Sequence, residues 1–254
     1  MNKAASGARY AAGVVYAVYG AAVFAATLAL VTPCYFAIFV TSGKKAPHIA
    51  HSFSRVWAKV AYTFFLIRVR VTGKEHIDPK QTYVFVSNHR SLLDVPLAAL
   101  ACKNTFRFLA KEELTRIPGL GYIIRNLYVT VQRKDKDDRK RSKDKLLKSL
   151  HEGISIFIFA EGTRNKSSEP MLEMRDGAFS LAIDAQVPLA VLSIMNSDKH
   201  LPAKGFYNLL PGVIHAHWTT PIETKGMQDT DTEKLRLKAR EIIVGHLDTH
   251  HAKT

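Results

Sequence analysis

From Tyr10 to Val40 the chain runs for 31 residues without a charged side chain. A helix of about 20 apolar residues crosses the hydrocarbon core of a bilayer, whereas helices of globular proteins average only about 11 to 12 residues. The stretch therefore reads as a membrane-embedded helical element. A signal peptide would have an apolar centre of about 7 to 15 residues with a small-residue cleavage site soon after it, so this is the pattern of a retained segment. Pro33 interrupts the run, because its ring removes a helical donor and crowds the preceding turn. One tilted span and a bent helix pair dipping into one leaflet both fit that interruption. Lys3 and Arg9 precede the run, and Lys44, Lys45, Arg55 and Lys59 follow it. If the run spans, this excess places the rest of the chain on the cytoplasmic side.

The chain has 36 Lys and Arg against 22 Asp and Glu, a formal charge of +14, so its surface attracts polyanions: nucleic acid, anionic headgroups or phosphorylated substrates. The most basic segment, Arg133 to Lys148, holds nine Lys and Arg with four Asp and no aromatic residue. Single-stranded nucleic-acid surfaces interleave stacking rings with cations, so this segment reads as a solvated helix face and no nucleic-acid partner is expected. The two cysteines, Cys34 and Cys102, form neither a disulfide framework nor a thiol metal site.

Beyond the apolar run, Pro47 to Ile67 repeats apolar residues at helical spacing with Arg55 and Lys59 between them, the pattern of an amphipathic interfacial helix. The following "IRVRVTG" alternates like a strand. Short apolar runs then recur at Tyr83 to Val86, Phe106 to Ala110, Leu127 to Val131, Ile154 to Phe159, Leu189 to Ile194 and Val213 to Trp218. Helical stretches separate them, including Lys140 to Leu150, and Asp231 to Leu247 closes the chain as an amphipathic helix. Strands separated by helices imply an α/β layered domain. We divide the chain into a membrane-associated helical segment, 1–65, and an α/β domain, 66–254. His215 and His217 share one strand face without an evident third metal ligand, and His246 and His250 read as solvated near the terminus.

The stretch "VSNHRSLLDVP" leaves a strand and opens a helix. Five residues of straight helix turn through about 500°, so His89 and Asp94 face each other only if His89 precedes the helix. Ser91 is a good N-cap, which puts Leu92 and Leu93 at the helix start and Asp94 at its third position. Asp94 then fixes the imidazole tautomer while the other ring nitrogen accepts a proton from an attacking hydroxyl. The competing reading is a capping box in which Asp94 serves the helix terminus and Asn88 and His89 are turn residues. The chain has no GxSxG elbow, so a base without an enzyme nucleophile points to direct attack by a substrate hydroxyl.

A second constellation, "FIFAEGTRN", ends another apolar run with Glu161, Gly162, Thr163 and Arg164. Glycine lets backbone approach a ligand, and Arg164 can hold a phosphate with a bidentate fork. Lys111 and Arg133 each follow a strand and could converge on the same anion. Taken singly, these groups read equally as polar strand ends in solvent.

The blocks together resemble a family. "NHRSLLD" is similar to the NHxSxxD block of glycerolipid acyltransferases and "FAEGTRN" to their FPEGTRS block. "LAKEELTRIPGLGYIIRNLYVTVQRKD" resembles the family's stretch between these two blocks, and "DAQVPLAVLSI" and "GVIHAHWTTPIETKGM" its later segments, nearest to the bacterial lysophosphatidate acyltransferases. The resemblance runs from Phe64 to Met227. It implies an α/β fold with a mixed, largely parallel sheet flanked by helices. It implies transfer of a fatty acyl group from acyl-CoA or acyl carrier protein to the free sn-2 hydroxyl of lysophosphatidate, giving phosphatidate for phospholipid synthesis. His89 would be the base and Asp94 its partner. Glu161, Gly162 and Thr163 would belong to the acceptor site, with Lys111 and Arg164, and more weakly Arg133, on its phosphate. No metal or organic cofactor is implied. The implied partners are membrane lipids and the acyl donor, at the cytoplasmic face of a bacterial inner membrane. Ala160 and Val191 stand where the family has proline, which relaxes backbone without removing a reactive group and leaves the acceptor headgroup open. Another lyso-lipid acceptor, or a non-catalytic membrane adaptor, are the alternatives.

Overall fold

The computed structural model describes residues 3–132, 135–203 and 209–252. The apolar N-terminus forms one helix, α1 (Lys3–Thr41), with Pro33 inside it. Of the two arrangements expected of this run, the structure forms the single helix. Leu28 lies before Pro33 and Tyr35 after it, and both pack into one cluster with Ala50, Ile123 and Leu127. The stretch Gly13–Thr41 is long and apolar enough to cross a membrane, with a mean hydropathy of 2.1 over an 18-residue part of which only 17% is buried. Helix α2 (Ala46–Phe64) returns along α1, bound at its far end by hydrogen bonds from Tyr16 Oη to the Phe65 carbonyl and from Tyr19 Oη to that of Phe64.

Seven strands form a single sheet in the order β1-β7-β6-β2-β5-β3-β4. They are β1 (Ile67–Thr72), β2 (Val84–Ser87), β3 (Phe106–Lys111), β4 (Val129–Val131), β5 (Ser155–Phe159), β6 (Leu189–Ile194) and β7 (Gly212–Trp218). Five of the six pairings are parallel, and β6 meets β7 antiparallel. The sheet is thus mixed and largely parallel, as the family resemblance implied. Between the strands lie α3 (Asp94–Ala101), α4 (Leu120–Leu127), α5 (Lys136–His151), α6 (Gly177–Ala185) and α7 (Ser197–His200), with α8 (Thr232–His251) last. The strand expected from Leu127 begins at Val129, because α4 runs through Leu127.

Alternation along buried strands builds two cores. Phe85, Phe157, Ala190 and Leu192 face α2 and α3, whereas Val84, Val86, Ile156 and Val191 face α5, α6 and α8. The second core also fixes the end of α8. His246 and His250 are half-buried, with ring centroids 4.8 Å from His217 and 5.2 Å from His215 respectively, so they pack on β7 rather than lying in solvent. Burial lowers the pKa of His215, His217 and His246. The central pair β2 and β5 run side by side with Ser87 opposite Phe159. Their carboxyl ends therefore open together, where α/β sheets place reactive groups.

Candidate active site

Val84 to Ser87 is buried on both faces, and the chain leaves this strand into a turn that carries the candidate base. His89 Nδ1 lies 2.8 Å from Asp94 Oδ2. The carboxylate can only accept, so Nδ1 holds the proton and the lone pair sits on Nε2. The same Asp94 oxygen accepts the main-chain N–H groups of Arg90 and Ser91, each at 2.8 Å. Asp94 is fully buried. This carboxylate therefore closes the turn before the helix and holds the imidazole, and among the described residues no side chain caps the helix itself. The helix itself starts at Asp94 rather than Leu92. Ser91 Oγ accepts from Leu93 N at 3.2 Å and donates to the Leu201 carbonyl at 2.8 Å, so its hydroxyl serves the turn before the helix.

The second constellation folds onto this turn. Gly162 adopts a φ of +70°, where a side chain would be strained, and a Cβ there would stand 3.4 Å from Arg175. Glu161 is buried, and its two carboxylate oxygens are occupied: Oε1 accepts His89 N and Oε2 accepts Leu172 N, both at 2.7 Å. Burial raises the Glu161 pKa, while these two N–H groups and the charges of His89 and Arg90 oppose the shift. Glu161, expected at the acceptor site, bridges two main-chain segments with its carboxylate. Asn165 N donates to the His89 carbonyl at 2.7 Å, so the histidine backbone is held on both sides by one loop.

The expected cations are disposed unequally. Arg164 is half-buried beside this loop and makes no hydrogen bond or ion pair to the described residues. Lys111 ends β3, a direct neighbour of β5, but its ammonium lies 3.0 Å from the Glu113 carboxylate and is about half exposed. Thr163 is exposed between Gly162 and Arg164. Arg133 lies outside the described residues.

Four supporting residues escaped the sequence reading. Asn88 spans to β6, donating to the Ile194 carbonyl at 2.7 Å and accepting Ile194 N at 2.9 Å. Arg90 Nε donates to Asp198 at 2.8 Å and its guanidinium also reaches the carbonyls of Glu169 and Pro170. Tyr62 of α2 keeps its proton, being buried beside Asp94, and donates it to the Leu93 carbonyl. Phe159 lies flat on the His89 ring at a centroid distance of 4.0 Å. Asn88 and Arg90 sit inside the motif and could have been flagged by position alone. The partners of all four are 31 to 108 residues distant or on another strand, which no local spacing encodes.

Two clefts lie at opposite ends of the central strands. A small one of about 150 Å³ lies among Arg90, Asn165 and Asp198. A larger one of about 330 Å³ opens among Lys80, Lys103 and Asn104 at the opposite end of the strands, away from the His89–Asp94 pair. Size alone would choose the second, but the paired base and acid are at the first end.

The Acyltransferase family model matches residues 68–195, which contain both constellations. An uncharacterized acyltransferase of Schizosaccharomyces pombe is 30% identical over 187 residues, covering 72% of this chain and 66% of that protein. A 1-acyl-sn-glycerol-3-phosphate acyltransferase of Borreliella burgdorferi is 26% identical over 197 residues, covering 77% and 78%. The crystal structure of a 1-acyl-sn-glycerophosphate acyltransferase, PlsC, from Thermotoga maritima superposes with a TM-score of 0.83 at 25% identity, over 96% of this chain and 98% of that one. The chain spans between 42% and 66% of the length of the first eukaryotic relatives it matches. With its matched region covering half the sequence and both motifs in place, the chain belongs to the acyltransferase family.

Proposed function

We propose that this chain is a membrane-bound O-acyltransferase that esterifies the free sn-2 hydroxyl of lysophosphatidate to give phosphatidate. The observation that carries this reading is the polarity of His89: Nδ1 is committed to a buried carboxylate, and Nε2 has no hydrogen-bond partner among the described residues. The names of the bacterial relative and of the solved neighbour supply the acceptor class.

Nε2 removes the proton of the acceptor hydroxyl as its oxygen attacks the thioester carbonyl. Asp94 stabilises the imidazolium through Nδ1–H. The tetrahedral oxyanion collapses with loss of the thiolate, and the imidazolium returns its proton to that sulfur. One ester bond forms, one thioester bond breaks, and the base is regenerated. Arg164 meets the acceptor phosphate with a bidentate fork, with Thr163 beside it. The donor is acyl-CoA or acyl carrier protein.

The apolar surface of α1, including Val15, Val18, Leu30 and Phe36, and the apolar side of α2 at Val56 and Phe64, supports insertion of this helix pair in the bilayer. We assign the protein to the cytoplasmic face of a bacterial inner membrane, with its net charge of +14 drawn to anionic headgroups.

The test is a panel of lyso-lipid acceptors with radiolabelled acyl-CoA, and in parallel acyl carrier protein, given to purified protein and to His89→Ala. Lysophosphatidate should be the preferred acceptor, and the variant should lose about 10²- to 10⁴-fold in turnover, the contribution of a positioned general base. Full turnover in the variant would overturn His89 as the base, absence of turnover in the unaltered protein would leave the adaptor reading standing, and preference for another headgroup would reassign the acceptor.

A further inference from the structure

Resting on His89 as the base, we infer that Phe159 is a positioning residue that fixes the plane of the catalytic imidazole. The two rings are near parallel, 16° apart with centroids at 4.0 Å. Phe108 continues the stack on β3, with its ring 5.9 Å from Phe159 and 13° from parallel. Phe108 is itself held edge-on by Phe106 at 4.9 Å and Tyr128 at 5.0 Å. A slab of three rings therefore crosses from the catalytic turn over β5 to β3, anchored in the aromatic core.

Two constraints now act on the imidazole. The Asp94 bond fixes the direction of Nδ1 but permits the ring to rock about the Nδ1···Oδ2 line. A flat contact opposes that motion. Together they aim Nε2, and the His89 side chain keeps 13% exposure through which a hydroxyl can reach it. The aromatic face also matches the ring in its charged form, because a π-cloud attracts a cation laid over it. The β2–β5 register supplies the geometry, since Phe159 is opposite Ser87 and thus two residues from the base along the neighbouring strand.

The experiment compares Phe159→Leu, which keeps an apolar side chain but no flat face, with Phe159→Tyr, which keeps the face. Palmitoyl-CoA and oleoyl-lysophosphatidate serve as substrates, with circular dichroism and melting as the check on folding. Phe159→Leu should lower kcat by about tenfold to a hundredfold with acceptor KM changed by less than about threefold, the scale of a small misplacement of a reacting group. Phe159→Tyr should restore most of that loss. A second readout needs no turnover: the carbon-bound imidazole protons of His89 should show ring-current shifts in the wild type and in Phe159→Tyr, and lose them in Phe159→Leu. Unchanged kcat in the leucine variant, an equal loss in the tyrosine variant, or a rise confined to acceptor KM would overturn the role. Activity surviving in His89→Ala would instead overturn the assignment of the base, so the two failures are told apart.

Discussion

His89 is held at its main-chain N–H, at its carbonyl, at Nδ1 and across one ring face, whereas Arg164, in the neighbouring loop, has no hydrogen bond or ion pair to the described residues. The first group sits on buried polar bonds between strand ends, and the second lies on a turn beside an exposed threonine. The difference follows from what each must do. A base must meet a reacting atom within a fraction of an ångström, so its geometry is over-determined. A cation that receives a charged headgroup gains from being unpaired until the ligand arrives, since any internal partner would compete with the phosphate.

The largest expected effect attacks the fixed half. Asp94→Asn replaces the charged oxygen on which three donors converge with a neutral amide oxygen, which weakens the turn and removes the charge that stabilises the imidazolium. Turnover should fall by about 10²- to 10⁴-fold, measured as kcat. Glu161→Gln comes next. Its amide can accept one of the two N–H groups but must face the other with a donor, so the bridge between His89 and Leu172 opens on one side. A loss of about tenfold to a hundredfold in kcat is expected, with acceptor KM little altered. A KM effect without a kcat effect would return Glu161 to the acceptor site and blur the division between the halves.

Arg164→Ala tests the open half with the opposite signature. The loss of charge-assisted bonds to a phosphate costs about 1.5–3 kcal/mol, or roughly a tenfold to hundredfold rise in acceptor KM, with kcat retained. An unchanged Michaelis constant for lysophosphatidate would contradict the phosphate role.

What could be foreseen in the sequence divides along the same line as the site. Strand runs such as "YVFV" and "ISIFIF" are local, and their alternation with helical stretches implied the layered sheet before any contact was known. The His89–Asp94 spacing is also local, because five residues across a bend contain the whole interaction. The brackets that make it rigid are not local. Arg90 meets Asp198 across 108 positions and Asn88 meets Ile194 across 106, and only the packing of β6 beside β2 brings them together. Local propensity left α1 open between one span and a bent pair and put the α8 histidines in solvent, whereas tertiary packing draws His246 and His250 onto β7.

The fixed half also depends on a neutral layer beneath its aromatic slab. His51 of α2 is fully buried, its ring centroid 4.0 Å from that of Phe106, and neither ring nitrogen has a hydrogen-bond partner. Burial, with Arg55 and His48 nearby, pushes its pKa down from 6.5 to about 3. The folded value lies below the unfolded one, so the unfolded chain takes up the proton first as pH falls. Stability is full above 6.5 and is lost progressively toward about 3. At pH 5 the loss should be about 2 kcal/mol by linkage. Denaturant melts in detergent at pH 7 and pH 5 should show that loss, and His51→Leu should remove it. An unchanged slope in the variant would place the acid sensitivity elsewhere.

The smallest effect belongs to Lys111. It ends the strand next to β5 and was expected to share the acceptor phosphate with Arg164, yet its ammonium is already paired with Glu113 in a solvent-exposed contact. To reach a headgroup it must leave that carboxylate, and the Coulomb gain is shared between two anions. Lys111→Ala should therefore raise acceptor KM by less than about threefold, the scale of an exposed, screened ion pair. Glu113→Gln sharpens the test by freeing the lysine, and should lower KM if the ammonium can reach the phosphate. An effect of Lys111→Ala as large as that of Arg164→Ala would mean that ligand binding breaks the Glu113 contact. The open half would then hold two working cations, one of them released only when the substrate arrives.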